Sequence, residues 1–142
     1  MFIGKYYHTL ESQGRVSLPK KIREQADTWV ITRGLDGGLF LYPQSSYESE
    51  ISKLEFASVT KKTNRDLVRL FSNEAVEVSP DKQGRIALPE YLIAFASLTK
   101  DVVVVGSISK VEIWDMKRYH TYAGGLETQA EEIAEKYDTQ QN

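Results

Sequence analysis

The feature that most constrains this chain is that it contains the same pattern twice. Ser12-Gln-Gly-Arg-Val-Ser-Leu-Pro19 lines up with Lys82-Gln-Gly-Arg-Ile-Ala-Leu-Pro89 at an offset of 70, with five of eight positions identical. Trp29-Val-Ile-Thr-Arg-Gly34 then matches Asp101-Val-Val-Val-Val-Gly106, Leu39-Phe-Leu-Tyr-Pro43 matches Val111-Glu-Ile-Trp-Asp115, and Tyr47 matches Tyr119, all at an offset of 72. Matching order, spacing and residue type over this length point to duplication of one supersecondary unit. A half of about 70 residues is marginal as an independent fold, so the halves are expected to lean on each other or on neighbouring subunits.

Each copy reads alike. An extended run (Lys5 to Leu10; Glu74 to Val78) meets a glycine-containing turn, then a short alternating strand (Val16, Leu18; Ile86, Leu88), which predicts a hairpin with a polar tip. Pro19 and Pro89 open short helices running to about Ala26 and Ala96, since proline's fixed φ and missing N–H suit a helix start. A second strand pair turns at Leu35-Asp-Gly-Gly38 in the first copy and around Ser107-Ile-Ser-Lys110 in the second. Helical segments follow, one within residues 44–72 and one carrying Leu126, Ala130, Ile133 and Tyr137 as a single narrow apolar stripe. The predicted order per copy is β-β-α-β-β-α, a mainly β fold with helices (α+β). The expected organisation is a first unit at 1–48, a helical connector at 49–73, a second unit at 74–120 and an acidic helical tail at 121–142, frayed from Thr139 to Asn142.

The residues narrow the chemistry. With no cysteine, disulfides, thiolate metal sites and thiol catalysis are excluded, and a reducing cytoplasm fits. The first ten residues hold Lys5 and aromatic rings but no apolar stretch of signal-peptide type. Apolar runs such as Val102 to Val105 fall far short of the roughly 20 residues of a membrane span. His8 and His120 have no metal-ligand spacing to another histidine or carboxylate, and His8 reads as a surface or cross-strand residue. Gly34-Leu-Asp-Gly-Gly38 lacks the following Lys-Ser/Thr of a phosphate loop. No Ser/His/Asp arrangement stands out, and no metal, cofactor or small-molecule ligand is implied, so a non-enzyme is expected. Trp29 and Trp114 fall in strands and read as packing.

Charge is unevenly spread. The formal total of −2 conceals a basic head, with six cations against three carboxylates in residues 1–35, and an acidic tail, with five carboxylates against Lys136 in residues 125–142. The two hairpin tips carry the better functional signal: Glu11-x-x-Gly-Arg15 and Asp81-x-x-Gly-Arg85. Arginine's planar fork binds guanine O6 and N7 together, or a phosphate, and an acid four residues back can hold that fork. Gln13 and Gln83 add amides for a base edge or phosphate, Lys82 adds a charge, and Lys20, Lys21 and Arg23 follow where phosphates would lie. A two-stranded ribbon fits the major groove. The competing reading of each tip is a solvated turn with an acid–arginine surface pair, of little energetic worth.

The runs Tyr6 to Pro19, Thr32-Arg-Gly-Leu-Asp-Gly-Gly-Leu-Phe-Leu-Tyr-Pro43, Asp81 to Pro89 and Val111 to Asp115 resemble the MraZ family of bacterial transcriptional regulators, which carry two tandem domains of the SpoVT/AbrB type. The resemblance covers about residues 1–120. It implies a swapped-hairpin β-barrel in which the two units form a pseudo-dimer, and a ring-like homo-oligomer associated with the nucleoid. It also implies binding to short direct repeats in double-stranded DNA upstream of the division and cell-wall gene cluster, usually as a repressor. The family's Asp-x-x-x-Arg signature falls on Asp81 and Arg85, and on Glu11 and Arg15 with glutamate replacing aspartate. The cationic helix start is confined to the first copy, so a DNA contact made by one copy alone would be made by the first. One arginine–guanine pair discriminates by roughly 1–3 kcal/mol, against roughly 4–10 kcal/mol needed for a specific site, which favours several linked subunits on repeated sites. An alternative from another class is an antitoxin-like interaction module docking through the stripe Leu126 to Tyr137; removing residues 124–142 separates the two, because the regulator keeps its DNA binding.

Overall fold

The computed structural model describes residues 1–57 and 59–141, the last by its backbone alone; Ser58, in the expected connector, and Asn142, in the expected frayed end, lie outside the described residues. The first copy forms β1 (Lys5–Thr9), a 3-10 turn (Ser12–Gly14), β2 (Arg15–Ser17), α1 (Lys20–Arg23), β3 (Trp29–Arg33), β4 (Leu39–Pro43), α2 (Gln44–Phe56) and α3 (Lys62–Ser72). The second forms β5 (Val76–Val78), β6 (Arg85–Ala87), α4 (Glu90–Phe95), β7 (Asp101–Gly106), β8 (Val111–Asp115), α5 (Met116–Thr128) and α6 (Ala130–Gln141). The fold is mixed α/β, as two tandem units predict, with two helices rather than one after each second strand pair. Pro19 and Pro89 sit at the N-caps of α1 and α4 (φ −55° and −61°), and both helices stop short of Ala26 and Ala96.

The strand partners differ from the hairpins predicted from each copy. β1 does not form a ladder with β2; it runs antiparallel to β7 of the other unit, with Tyr7 opposite Val103. Reciprocally, β5 pairs with β3, Glu77 opposite Val30, and β2 pairs with β6, Val16 opposite Ile86. Each expected hairpin is therefore a corner, closed by a backbone hydrogen bond (Glu11 N–H to the Arg15 carbonyl, 2.8 Å; Asp81 N–H to the Arg85 carbonyl, 2.9 Å, joined there by Gly84 N–H to the Asp81 carbonyl, 2.9 Å), from which the two strands leave for different partners. Alternation marks which face of a strand is buried but says nothing about its neighbour. The result is a six-stranded antiparallel sheet, β1-β7-β8-β4-β3-β5, and a two-stranded ribbon, β2-β6.

Sheet and ribbon enclose one core to which the units contribute in matched pairs: Val16 and Ile86, Leu18 and Leu88, Ile22 and Leu92, Leu39 and Val111, Leu41 and Ile113, all buried. The corners interlock. Leu18 N–H donates to the Gly84 carbonyl (2.9 Å) and Leu88 N–H to the Gly14 carbonyl (2.8 Å). Neither unit could close this core alone.

The register also refines the repeat. Trp29 lies opposite Pro43 and Val102 opposite Asp115, so β7 corresponds to β3 at an offset of 73, not 72, while β8 keeps 72 relative to β4. The turn at 107–110 is one residue shorter than that at 34–38. A slip of one residue exchanges the faces of a strand, and only the corrected offset puts Val102 and Val104 into the core beside Trp29 and Ile31.

The helices cover the outer sheet face unequally. In the first unit α3 returns over the sheet: Phe71 stacks on Phe40 with ring centres 6.0 Å apart, and its carbonyl accepts from Tyr47 (2.9 Å) and Thr32 (3.2 Å). In the second, α5 starts at Met116, lays Tyr119 and Tyr122 against Trp114, and ends at Thr128, with Gln129 as its C-cap. The apolar stripe predicted along one helix is thus divided between α5 and α6, with Leu126, Ile133 and Tyr137 exposed. Among the described residues no helix is long and apolar enough to cross a membrane.

Candidate nucleic-acid interface

Alternation along the ribbon separates core from surface. Val16 and Ile86 point inward and are fully buried, so Arg15, Ser17, Arg85 and Ala87 occupy the outward face. Arg15 pairs with Ala87 and Ser17 with Arg85, which puts the two arginines at diagonal ends of the ribbon. Two residues along a strand and one strand across correspond to a Cα separation of about 8 Å.

The corners that hold these arginines are built differently. In the second, Asp81 Oδ1 accepts from the backbone N–H groups of Gln83 (2.8 Å) and Arg85 (3.0 Å), while Oδ2 accepts from Arg85 Nε (3.2 Å). These bonds, led by that from the Arg85 backbone, hold the Asp81 carboxyl below the usual carboxylate range. Gly84 closes the turn at φ +77°. The acid-braced arginine expected from the spacing is present here. In the first corner it is not. The chain makes a 3-10 turn with Gln13 at φ 63° and Gly14 at φ 70°, Arg15 Nη2 donates to Gln13 Oε1 at 2.5 Å, and Glu11 turns away to meet Arg85 Nη1 at 3.4 Å. The extra methylene of glutamate lets Glu11 reach across the ribbon.

The halves of the chain each match the family model described as "MraZ protein, putative antitoxin-like", over residues 1–70 and 71–141. The chain belongs to the MraZ family. It is 41% identical over 137 residues, 96% of each chain, to the transcriptional regulator MraZ of Carboxydothermus hydrogenoformans. It is 42% identical to that of Halothermothrix orenii, over 94% of each chain, and 43% identical to that of Ligilactobacillus salivarius, over 95% of each. The names of these MraZ relatives describe regulators of transcription, which are not an enzyme class.

The remaining candidate residues fall into two groups. Gln13, Lys20, Lys21, Lys82 and Gln83 are exposed around the ribbon, Lys20 within 3.7 Å of Glu24 in a solvated pair. Arg23 is half-buried. Its Nη1 donates to the Leu18 carbonyl (2.9 Å), and its guanidinium lies over Gly84, where a Cβ would come within 2.9 Å of Nη1. The pseudo-equivalent contact is Ile93 over Gly14, its Cδ1 2.9 Å from a Cβ built there. Arg23 thus clamps the second corner, a role not read from the sequence. The available signal was its alignment with an isoleucine, an apolar residue, at position 93.

Neither histidine sits at the ribbon. His8 is half-buried in β1 opposite Val102, and burial lowers its pKa against the opposing effect of Glu11. His120 Nε2 lies 3.1 Å from the Tyr7 hydroxyl. Among the described residues no cluster of three or more His, Cys, Asp or Glu could hold a metal ion.

Proposed function

We propose that the protein is a DNA-binding regulator of transcription that acts as a homo-oligomer on short direct repeats, as a repressor of the division and cell-wall genes. The observation that carries this reading is the β2–β6 ribbon, which turns Arg15 and Arg85 to one outward face between two polar corners. A two-stranded ribbon has the width to enter the major groove, and arginine is the side chain best matched to guanine. The names of relatives at over 40% identity support the regulatory role. The exposed Lys20, Lys21 and Lys82 supply phosphate contacts that set register without reading sequence. Few reading side chains per subunit make linked subunits on tandem sites necessary for specificity. Action on chromosomal DNA places the protein in the cytoplasm at the nucleoid.

The test is a mobility shift with a duplex carrying three or four direct repeats from upstream of its own gene, against a duplex with scrambled repeats, at two salt concentrations. Binding that needs several repeats and weakens steeply with salt is expected. Arg15→Ala removes the repeat preference, at least a hundredfold over an oligomer of several subunits, and leaves the melting temperature unchanged. Equal binding to the scrambled duplex overturns the regulator reading, and unfolding of Arg15→Ala identifies a structural arginine instead.

A further inference from the structure

The pseudo-two-fold of the ribbon relates Arg15 to Arg85, yet their electrostatic surroundings differ. Arg85 is gripped by two carboxylates, Asp81 at 3.2 Å and Glu11 at 3.4 Å, and its side chain is only 20% exposed. Its positive charge is more than compensated. Arg15 meets only the neutral amide of Gln13 and has no ion-pair partner among the described residues. The asymmetry originates in one side chain. Had Glu11 braced its own corner, as Asp81 does, each arginine would carry one acid.

We propose that Glu11 is a specificity-determining residue that acts as an electrostatic brake on the second unit: by crossing to Arg85 it withholds that guanidinium from DNA, so that each chain reads through Arg15. The proposal rests on the DNA-binding reading above. With Nε donating to Asp81 the Nε–Nη2 edge of Arg85 is taken, and with Glu11 against Nη1 a carboxylate stands beside the remaining Nη1–Nη2 edge, where guanine or phosphate would have to approach for two parallel bonds. Phosphate approach would also meet the surplus negative charge of the Glu11–Arg85–Asp81 group. A ribbon with one charged end and one compensated end docks in one orientation, which suits direct repeats, where every site faces the same way, better than inverted ones.

The experiment measures affinity and salt dependence on the repeat duplex for the unaltered chain, Glu11→Gln, Arg85→Ala and the double variant. Releasing Arg85 adds one phosphate-competent cation per subunit. That steepens the salt slope by about 0.9 per subunit contact, or about an eightfold gain at 0.1 M salt. The gain is expected in Glu11→Gln and absent when the same change is made in the Arg85→Ala background. Glu11→Ala, which also removes the crossing carboxylate, is expected to raise affinity likewise, and it carries the comparison if Glu11→Gln fails to fold. A gain that persists without Arg85 shows that Glu11 acts only through net charge and overturns the proposal, as does the absence of any gain. Wild-type binding with such a result leaves the regulator reading intact; a wild type indifferent to the repeats removes both.

Discussion

Gly14 and Gly84 occupy equivalent corners, so an alanine at each tests the interlock between units. Gly14 has φ +70°, where an L-residue costs roughly 1–2 kcal/mol. An added Cβ would lie 2.7 Å from the Leu88 carbonyl oxygen and 2.9 Å from Ile93 Cδ1. The first of these is backbone and cannot swing aside. Separating the strands weakens the 2.8 Å bond from Leu88 N–H to the Gly14 carbonyl, worth about 1 kcal/mol. The stiffer unfolded chain of alanine returns about 0.4–1 kcal/mol. These terms come to about 1–2.5 kcal/mol, and displacing the Leu88 backbone adds to them, so Gly14→Ala is expected to destabilise by about 2–3 kcal/mol. Gly84 has a similar φ of +77°, but a Cβ there meets the end of the Arg23 side chain, which can rotate away at the loss of its bond to Leu18. Gly84→Ala is expected to cost about 1–2 kcal/mol. Urea denaturation at one fixed protein concentration measures both, with the concentration held because any oligomer links stability to mass action. A Gly14→Ala cost equal to or below that of Gly84→Ala would refute the claim that the backbone of the second unit is fitted against the first corner.

Two further expectations concern pH. Asp115 caps α5, accepting from Arg118 N–H (3.2 Å) and from the Thr99 hydroxyl (2.7 Å). Burial pushes its carboxyl up, but the bonds from Thr99 and the backbone N–H groups outweigh this and hold it below its ordinary 3.8. Its contribution is present above that value and is lost as pH falls through the lower folded pKa. Asp115→Ala is expected to cost about 2 kcal/mol at neutral pH, a cap plus a stranded hydroxyl, and to flatten the acid limb of melting temperature against pH. His8 is also depressed, from 6.5, by burial. The unfolded chain takes up its proton first, so stability is full above pH 6.5 and declines as pH falls from there through the folded value. His8→Val, which installs the residue found at the matching position 78 of β5, is expected to remove that decline, read as melting temperature at pH 5 against pH 7.

Much of this molecule follows from local physics that a sequence displays. The repeat shows when the two halves are laid side by side, and the glycines at the corners, the prolines at the helix starts and the alternation of Val16 and Ile86 with Arg15 and Arg85 depend on neighbours one to four residues away. They suffice to identify two units, the buried face of β2 and of β6 and the arginines that face outward. They do not name partners. A strand's N–H and C=O groups are satisfied by any adjacent strand, and two copies of one sequence can pair within or across. Only the need to close a single core decided for β1 with β7 and β5 with β3. The same contest moved β7 by one residue against the apparent alignment, because Val102 and Val104 had to face inward. It also settled the side chains that reach between units: Glu11, expected to brace Arg15, went to Arg85, and Arg23, expected on a phosphate, went to Leu18 and Gly84. Residue type and spacing determined what these groups can bond; which partner stood within reach was decided by the tertiary structure, since distance across the ribbon is not written in distance along the chain.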